Sequence, residues 1–104
     1  MLSDLSARDK KLANYLGLAQ RAGKIAAGDN PAFKAVEKGQ SKLLLVAKDA
    51  AEQIKKQFQA SCPKGGLYEW QSKAVLGYAV GKSPRGALAV LDEGFAKAIK
   101  SLLD

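Results

Sequence analysis

Apolar positions along this chain of 104 residues repeat with a helical period in some segments and form short extended runs in others. The first helical segment carries an apolar stripe at three- and four-residue steps. The members of this stripe are Leu12, Tyr15, Leu16, Ala19 and Ala22. Gly23 follows at the position expected of a C-terminal helix cap, and residues 25–27 predict a short strand.

The sequence Gly-Asp-Asn-Pro at residues 28–31 is the sharpest local signal for the start of a helix. The side-chain oxygen of Asn30 suits the N-cap position, where it can accept a free backbone N–H. Pro31 suits the first helical position because its missing N–H would be unpaired there in any case. We therefore expect a second helix that runs from Pro31 through Lys38 and stops at Gly39.

Residues 42–47 predict a buried strand, because residues 43–47 form a continuous apolar run. Asp49 and Glu52 then have the spacing of a capping box, with Asp49 as the N-cap, and predict the start of a third helix. Cys62 and Pro63 are expected to end that helix, because proline cannot continue it.

The last third of the chain also alternates between predicted strands and helices. Residues 67–70 predict a strand, and Ser72 is expected to cap a short helix that ends at Gly81. Residues 87–91 predict a final strand, after which Asp92 caps the last helix. The inward faces of the third and last helices are apolar and comprise Ile54, Phe58, Phe95, Ile99, Leu102 and Leu103.

No linker, low-complexity tract or internal repeat divides the chain, so residues 1–104 predict a single domain. Strands that alternate with helices predict an α/β fold whose sheet is covered on both faces.

The net charge of the chain suggests a polyanionic partner. Seventeen Lys and Arg against ten Asp and Glu leave a formal charge of +7. On so small a surface this excess creates a positive potential that attracts nucleic acid. Membrane surfaces and acidic proteins are the alternative partners, and the excess could also serve only solubility.

The residues that are missing argue against catalysis. The chain has no His and one cysteine, Cys62, which removes the commonest general base and nearly excludes a structural zinc site. We expect no catalytic residue, no metal and no cofactor. The strongest apolar run, residues 43–47, is far shorter than the roughly 20 residues that cross a bilayer. With a lone cysteine and no signal-peptide pattern, a cytoplasmic protein without a membrane partner is expected.

The start of the second helix is the first candidate for a nucleic-acid contact. Gly28, Asp29 and Asn30 lie where unpaired N–H groups and the helix dipole favour a phosphate or a base edge. Lys34 adds a cation one turn later. The alternative is that Asn30 only caps the helix and Lys34 is only solvated, and the spacing leaves both interpretations open.

Further candidate contacts are basic residues near turns. Lys82 and Arg85 flank Ser83-Pro84 in a turn that is either a phosphate-contact loop or a plain connector. Lys24 and Lys48 are additional candidate phosphate contacts. Three aromatic residues could stack on bases, although most aromatic side chains in so small a protein belong to the core: Tyr68, Trp70 and Tyr78.

Five segments carry a resemblance to a known family: residues 16–24, 28–39, 42–49, 72–82 and 92–104. In their order and motifs they resemble the kink-turn-binding ribosomal proteins, specifically the bacterial YlxQ-like branch. The likeness covers about residues 12–104. It implies a three-layer α/β/α sandwich with a small mixed central sheet that binds RNA and has no enzymatic activity.

The resemblance also assigns candidate residues. Gly28, Asn30 and Lys34 fall on the glycine, asparagine and lysine of the family motif Gly-x-Asn-Glu-x-x-Lys, which docks on tandem sheared G·A pairs. The loop before the last strand, residues 83–87, corresponds to a second RNA contact. Two departures stand out: Pro31 replaces the glutamate of the motif, and the loop is polar and basic where the family loop is typically apolar.

The resulting prediction is a non-catalytic RNA-binding protein, associated with the ribosome or with another structured RNA such as a kink-turn, and monomeric. The first rival keeps the fold and makes it a protein-interaction module with a basic face and no specific RNA target. The second rival is a small α/β enzyme. The absence of His argues against it, because His is the commonest general acid or base in catalysis.

Overall fold

The computed structural model describes residues 4–62 and 66–104, which form helices and strands in strict alternation. The elements are α1 (Ala7–Arg21), β1 (Ile25–Ala27), α2 (Asp29–Glu37), β2 (Leu43–Val46), α3 (Glu52–Ser61), β3 (Leu67–Glu69), α4 (Lys73–Ala79), β4 (Ala87–Val90) and α5 (Glu93–Leu103). The predicted order and type of every element are confirmed. Pro63, expected to end the third helix, lies outside the described residues.

The strands form one mixed sheet in the order β1-β4-β2-β3. β4 runs antiparallel to both β1 and β2, whereas β3 runs parallel to β2. The C-terminal ends of β1, β2 and β3 therefore meet the N-terminal end of β4 at one edge. We call this the Gly28 edge; its backbone bonds join Gly28 N to Ala87 O at 2.8 Å and Ala47 N to Gly86 O at 2.9 Å.

The opposite ends of the same strands form a second edge. There Lys42 N donates to Val90 O and Leu91 N donates to Lys24 O, both at 2.8 Å. We call this the Lys42 edge. The strand directions thus sort the connecting segments into two groups at opposite ends of the sheet.

Helices cover both faces of the sheet. α1 packs against α4 and α5, whereas α2 packs against α3 and the β1–β4 pair. Every residue of β2 and β4 is buried, and the Phe33 and Phe58 rings contact each other across the α2–α3 layer with centroids 5.8 Å apart. The chain is therefore a three-layer α/β/α sandwich with a small mixed sheet, as expected.

The predicted N-cap of α2 was wrong by two residues. The helix begins at Asp29, and its N-cap is Gly28, with φ +115° and no side-chain cap bond. Asn30 is therefore the second helical residue and Pro31 the third. The β1–β4 pairing explains the shift, because the bond from Gly28 N to Ala87 O ends the strand at Ala27 and lets the helix start at once.

The predicted capping box of α3 was also wrong. The helix begins at Glu52 with Ala51 as its N-cap and no side-chain cap bond. Asp49 instead accepts the backbone N–H of Lys73 at 2.8 Å, so its carboxylate caps the start of α4. The C-terminal ends of the parallel strands β2 and β3 lie side by side, which brings the two loops together.

Other helix boundaries agree with the sequence. Ser72 accepts from Val75 N at 3.2 Å and Asp92 from Phe95 N at 3.0 Å, so both N-caps are confirmed. The apolar stripe of α1 is confirmed at Leu12, Leu16 and Ala19, all buried. Ala22 is the exception, because it forms the exposed C-cap of the helix.

Candidate nucleic-acid interface

The start of α2 and the loop before β4 contact each other at the Gly28 edge. A Cβ placed on Gly28 would lie 3.6 Å from Cδ of Arg85, and one placed on Gly86 would lie 2.5 Å from Oδ1 of Asp29. A side chain on Gly86 would therefore clash with the carboxylate of Asp29, whereas a Cβ on Gly28 would make only an ordinary van der Waals contact with the Arg85 side chain. Two segments that are more than fifty residues apart in the sequence form one continuous surface.

The N-terminus of α2 supplies hydrogen-bond donors to this surface. The first helical bond runs from Ala32 N to Gly28 O at 3.0 Å, which leaves the N–H groups of Asp29 and Asn30 without an intrahelical acceptor. Asn30 and Lys34 are exposed, one turn apart. The helix dipole adds partial positive charge at this end. The arrangement can bind a phosphate oxygen or an acceptor on a base edge.

The Asp29 side chain lies at the same point but faces inward. It is half-buried, and its Oδ1 has no hydrogen-bond partner within the described residues. Oδ1 packs against the backbone of Gly86. Asp29 therefore joins the helix to the loop, whereas Asn30 and Lys34 present their side chains to solvent.

The loop is held in place by its own hydrogen bonds. Nη1 of Arg85 donates to Ser83 O at 3.0 Å, Ser83 Oγ at 2.6 Å and Pro84 O at 3.2 Å. Arg85 N donates to Lys73 O at 3.0 Å. A Cβ on Gly77 would overlap the Ser83 carbonyl, so only glycine lets the loop rest on α4. The side chain of the half-buried Arg85 thus lies beside the start of α2, and the exposed Lys82 lies at the beginning of the loop.

Lys48 belongs to the same edge. It follows β2, its N–H donates to Gln71 O at 2.7 Å, and its side chain is exposed. Neighbouring Lys55 has another role, because Nζ donates to Lys48 O at 2.6 Å and lies 3.4 Å from a carboxylate oxygen of Glu69. Lys55 therefore fixes the backbone of the turn and leaves Lys48 free to contact a ligand.

The structure does not bring Lys24 to this surface. Its exposed side chain lies at the Lys42 edge, where its carbonyl pairs with Leu91. β1 separates Lys24 from Gly28, and at about 3.3 Å per residue the two lie roughly 13 Å apart. Lys24 and Gly28 lie at different edges although they are close in sequence, because a strand carries the chain from one edge of the sheet to the other.

Lys73 is a cation at the Gly28 edge that sequence reasoning missed. It is exposed at the first position of α4, and its backbone bonds both Asp49 and Arg85. The helix-capping Ser72 was recognised, and the lysine that follows it could have been placed at this edge once β3 was known to run parallel to β2.

Most of the aromatic candidates have structural roles. Trp70 is buried and donates to Asp9 at 3.0 Å. Tyr68 donates to Asp104 at 2.9 Å, and this hydrogen bond raises the pKa of the Tyr68 phenol. Tyr78 is 59% exposed and remains able to stack on a base.

A family model described as the ribosomal protein L7Ae/L30e/S12e/Gadd45 family matches residues 10–100. The chain belongs to this family. The L7Ae-family assignment agrees with the curated relatives. An "RNA-binding protein YlxQ" of Bacillus subtilis (strain 168) is 38% identical over 91 residues, which cover 86% of this chain and 91% of that protein. A protein of the same name from Enterococcus faecium is 34% identical over 97 residues, covering 91% and 93%. The YlxQ-like resemblance is thereby confirmed.

A ribosomal protein and two solved structures are also similar to this chain. The "Large ribosomal subunit protein eL8" of Cenarchaeum symbiosum is 37% identical over 87 residues, covering 81% of this chain and 69% of that protein. A solved structure of a protein with unknown function from Bacillus halodurans superposes with a TM-score of 0.82 at 31% identity, covering 90% and 97%. The Giardia lamblia 15.5kD RNA binding protein superposes with a TM-score of 0.73 at 22% identity, covering 94% of this chain and 92% of that chain. At this identity the likeness supports the fold alone.

The described part of this L7Ae-family structure contains neither a metal-binding cluster nor a membrane-spanning helix. Within residues 4–62 and 66–104, no group of three His, Cys, Asp or Glu side chains could hold a metal ion. In the same residues, no helix has both the length and the apolar character needed to span a bilayer.

Proposed function

We propose that this chain binds structured RNA through the Gly28 edge and carries out no catalysis. The observation that carries the proposal is that the start of α2 and the Arg85 loop, each a candidate contact in the sequence, form one surface. Exposed Lys34, Lys48, Lys73 and Lys82 surround it. Relatives named as RNA-binding proteins and as a ribosomal subunit protein support the same function.

The chemistry of the surface suits both parts of an RNA. Exposed ammonium groups contact phosphates, which supply most of the affinity and little sequence information. Asn30, which can donate and accept, is the side chain best placed to contact a base edge, aided by the free N–H groups at the start of α2. We propose a kink-turn or a similarly bent RNA as the target, with ribosomal RNA as its cellular source and the cytoplasm as its location.

The proposal is tested by binding to a fluorescent kink-turn hairpin at one fixed salt concentration. Lys82→Gln/Arg85→Gln removes two cations of the Gly28 edge. Lys11→Gln/Lys56→Gln removes two exposed cations of α1 and α3 that are not assigned to the proposed interface, and it serves as the charge-matched control. Loss of two phosphate contacts should weaken binding roughly tenfold or more, whereas the control should stay within about threefold.

Heparin separates RNA binding from the rival protein-interaction module. A surface that recognises RNA should prefer the hairpin to heparin at equal charge, because heparin has neither bases nor a base-paired helix. Equal affinity for both polyanions, or equal effects of the two double variants, would overturn the proposal.

A further inference from the structure

The Lys42 edge contains a concavity of about 200 Å³ at the end of the sheet opposite the Gly28 edge. Its walls come from the start of β2 and one side of α5. Its lining residues are Lys42, Leu43, Glu93, Ala96, Lys97 and Lys100. Half of them are lysines, and none belongs to the surface proposed above for RNA.

Secondary structure places these lysines together. Lys97 and Lys100 are three residues apart on α5 and therefore share one side of the helix. Lys42 faces them from the start of β2, where its backbone is fixed by the bond to Val90. All three side chains are exposed.

The cluster is only partly neutralised from within the protein, because Glu93 lies one turn before Lys97 on α5. Glu93 is the only acidic residue of the lining, and no ion pair within 4.0 Å joins it to these lysines in the described parts of the chain. Like charges at this spacing repel each other, and a bound polyanion removes that repulsion. Lys24 adds one more exposed cation on the other side of the end of β4.

From this cluster we infer that the Lys42 edge is a second phosphate-binding surface, which contacts another RNA segment while the first occupies the Gly28 edge. The inference rests on the proposed RNA binding. β4 connects the two edges, and Gly86 and Leu91 at its ends lie roughly 16 Å apart at about 3.3 Å per residue. Because the edges face opposite directions, one straight RNA helix does not reach both, and the protein bridges two helices or two strands.

The character of the concavity favours a polyanion over a small phosphorylated molecule. Sites for small ligands bury most of the ligand and fix it with a few enclosed polar groups. Here the cations are exposed and lie on flexible side chains, an arrangement that gains affinity by contacting several phosphates of one backbone.

The test counts RNA molecules bound by one protein. The protein is mixed with an excess of a short labelled kink-turn hairpin at low salt, and the stoichiometry is measured by sedimentation. The unmodified chain should bind two hairpins, and Lys97→Gln/Lys100→Gln should bind one, with the tighter affinity changed less than threefold. Lys82→Gln/Arg85→Gln should lose the tighter event and keep the weaker one, and Lys11→Gln/Lys56→Gln should keep both.

The outcomes separate the two proposals. If the unmodified chain binds a single hairpin tightly, the proposed RNA binding at the Gly28 edge is supported and the proposed second surface at the Lys42 edge is wrong. Two hairpins bound equally by the unmodified chain and by Lys97→Gln/Lys100→Gln overturn the assignment to these lysines. Absence of any RNA binding overturns the proposed function and, with it, this inference. If inorganic pyrophosphate shifts the NMR signals of Lys97 and Lys100 but a second hairpin does not, the site takes small anions and the inference is wrong.

Discussion

The carboxylate of Asp29 packs against the backbone of Gly86 so closely that a Cβ on the glycine would lie 2.5 Å from Oδ1. This contact joins the first residue of α2 to the loop that precedes β4. It holds the residue after Arg85 against the first turn of the helix. The geometry of the candidate interface therefore depends on a residue that has no side chain.

Gly86→Ala should destabilise the protein by about 1–3 kcal/mol, because the added methyl group forces the carboxylate or the loop to move. Asp29→Ala alone should change the free energy of unfolding by less than about 1 kcal/mol, since Oδ1 makes no hydrogen bond in the described residues. Urea denaturation of both single variants and of the double variant measures the coupling. The double variant should recover most of the stability; additive losses would show that Asp29 is not the obstacle.

RNA affinity should fall steeply with salt. If Lys34, Lys48, Lys82 and Arg85 each neutralise one phosphate, the log–log slope should be near −3, at roughly 0.7 to 0.9 per contact. Lys82→Gln/Arg85→Gln should reduce its magnitude by about 1.5, while Lys11→Gln/Lys56→Gln should leave it almost unchanged. Titration of a short hairpin between low and moderate salt gives the slope. A flat titration would remove phosphate contacts as the source of affinity.

Asn30 should matter for binding and not for stability. It is the second residue of α2 and makes no cap bond, so Asn30→Ala should alter the free energy of unfolding by less than about 0.5 kcal/mol. Ser72→Ala, which removes a side-chain cap bond, is the reference variant and should be destabilised by about 1 kcal/mol. Thermal or urea unfolding compares the two. Lower RNA affinity in a fully stable Asn30→Ala protein assigns a contact to Asn30; unchanged affinity would remove it from the interface.

Local patterns predicted the elements of this fold because the apolar stripes and strands are themselves local. The errors arose where a long-range contact decides a local choice. Asp49 has capping-box spacing to Glu52, yet it caps α4, because β3 lies parallel to β2 and brings Lys73 within reach. Asn30 is a suitable N-cap, yet the bond from Gly28 to Ala87 starts the helix two residues earlier.

The candidate site, too, could be predicted only as far as local patterns determine it. Gly28, Asn30, Lys34, Lys82 and Arg85 could be chosen from residue type, turn signals and the family motif. Which cations share an edge depends on strand direction, which places Lys24 at the Lys42 edge and Lys73 at the Gly28 edge. The close approach of Asp29 to Gly86 could not be predicted from the sequence, because a glycine can precede a strand for many structural reasons.

Pro31 should reduce the selectivity of this chain for a kink-turn. In the motif that the sequence resembles, a glutamate at this position accepts a hydrogen bond from a base amino group, whereas Pro31 offers neither an acceptor side chain nor an N–H. Loss of such a bond in a desolvated site costs about 1–3 kcal/mol, or roughly a ten- to hundred-fold preference. The structure places Pro31 as the third residue of α2, exposed and next to Asn30, at the proposed RNA interface.

Pro31→Glu should therefore regain part of the selectivity without harming the fold. Position 31 lies in the first turn of α2, where a carboxylate interacts favourably with the helix dipole. The glutamate also restores an N–H in place of the proline ring, which packs near Gly28. Both proteins are measured at one fixed salt concentration on a kink-turn and on a control whose sheared G·A pairs are replaced by Watson–Crick pairs. The ratio of the two affinities should rise in Pro31→Glu. If the unmodified chain already prefers the intact kink-turn by about a thousand-fold, far beyond the effect of one hydrogen bond, selectivity must come from the backbone N–H groups of α2 and from Lys34.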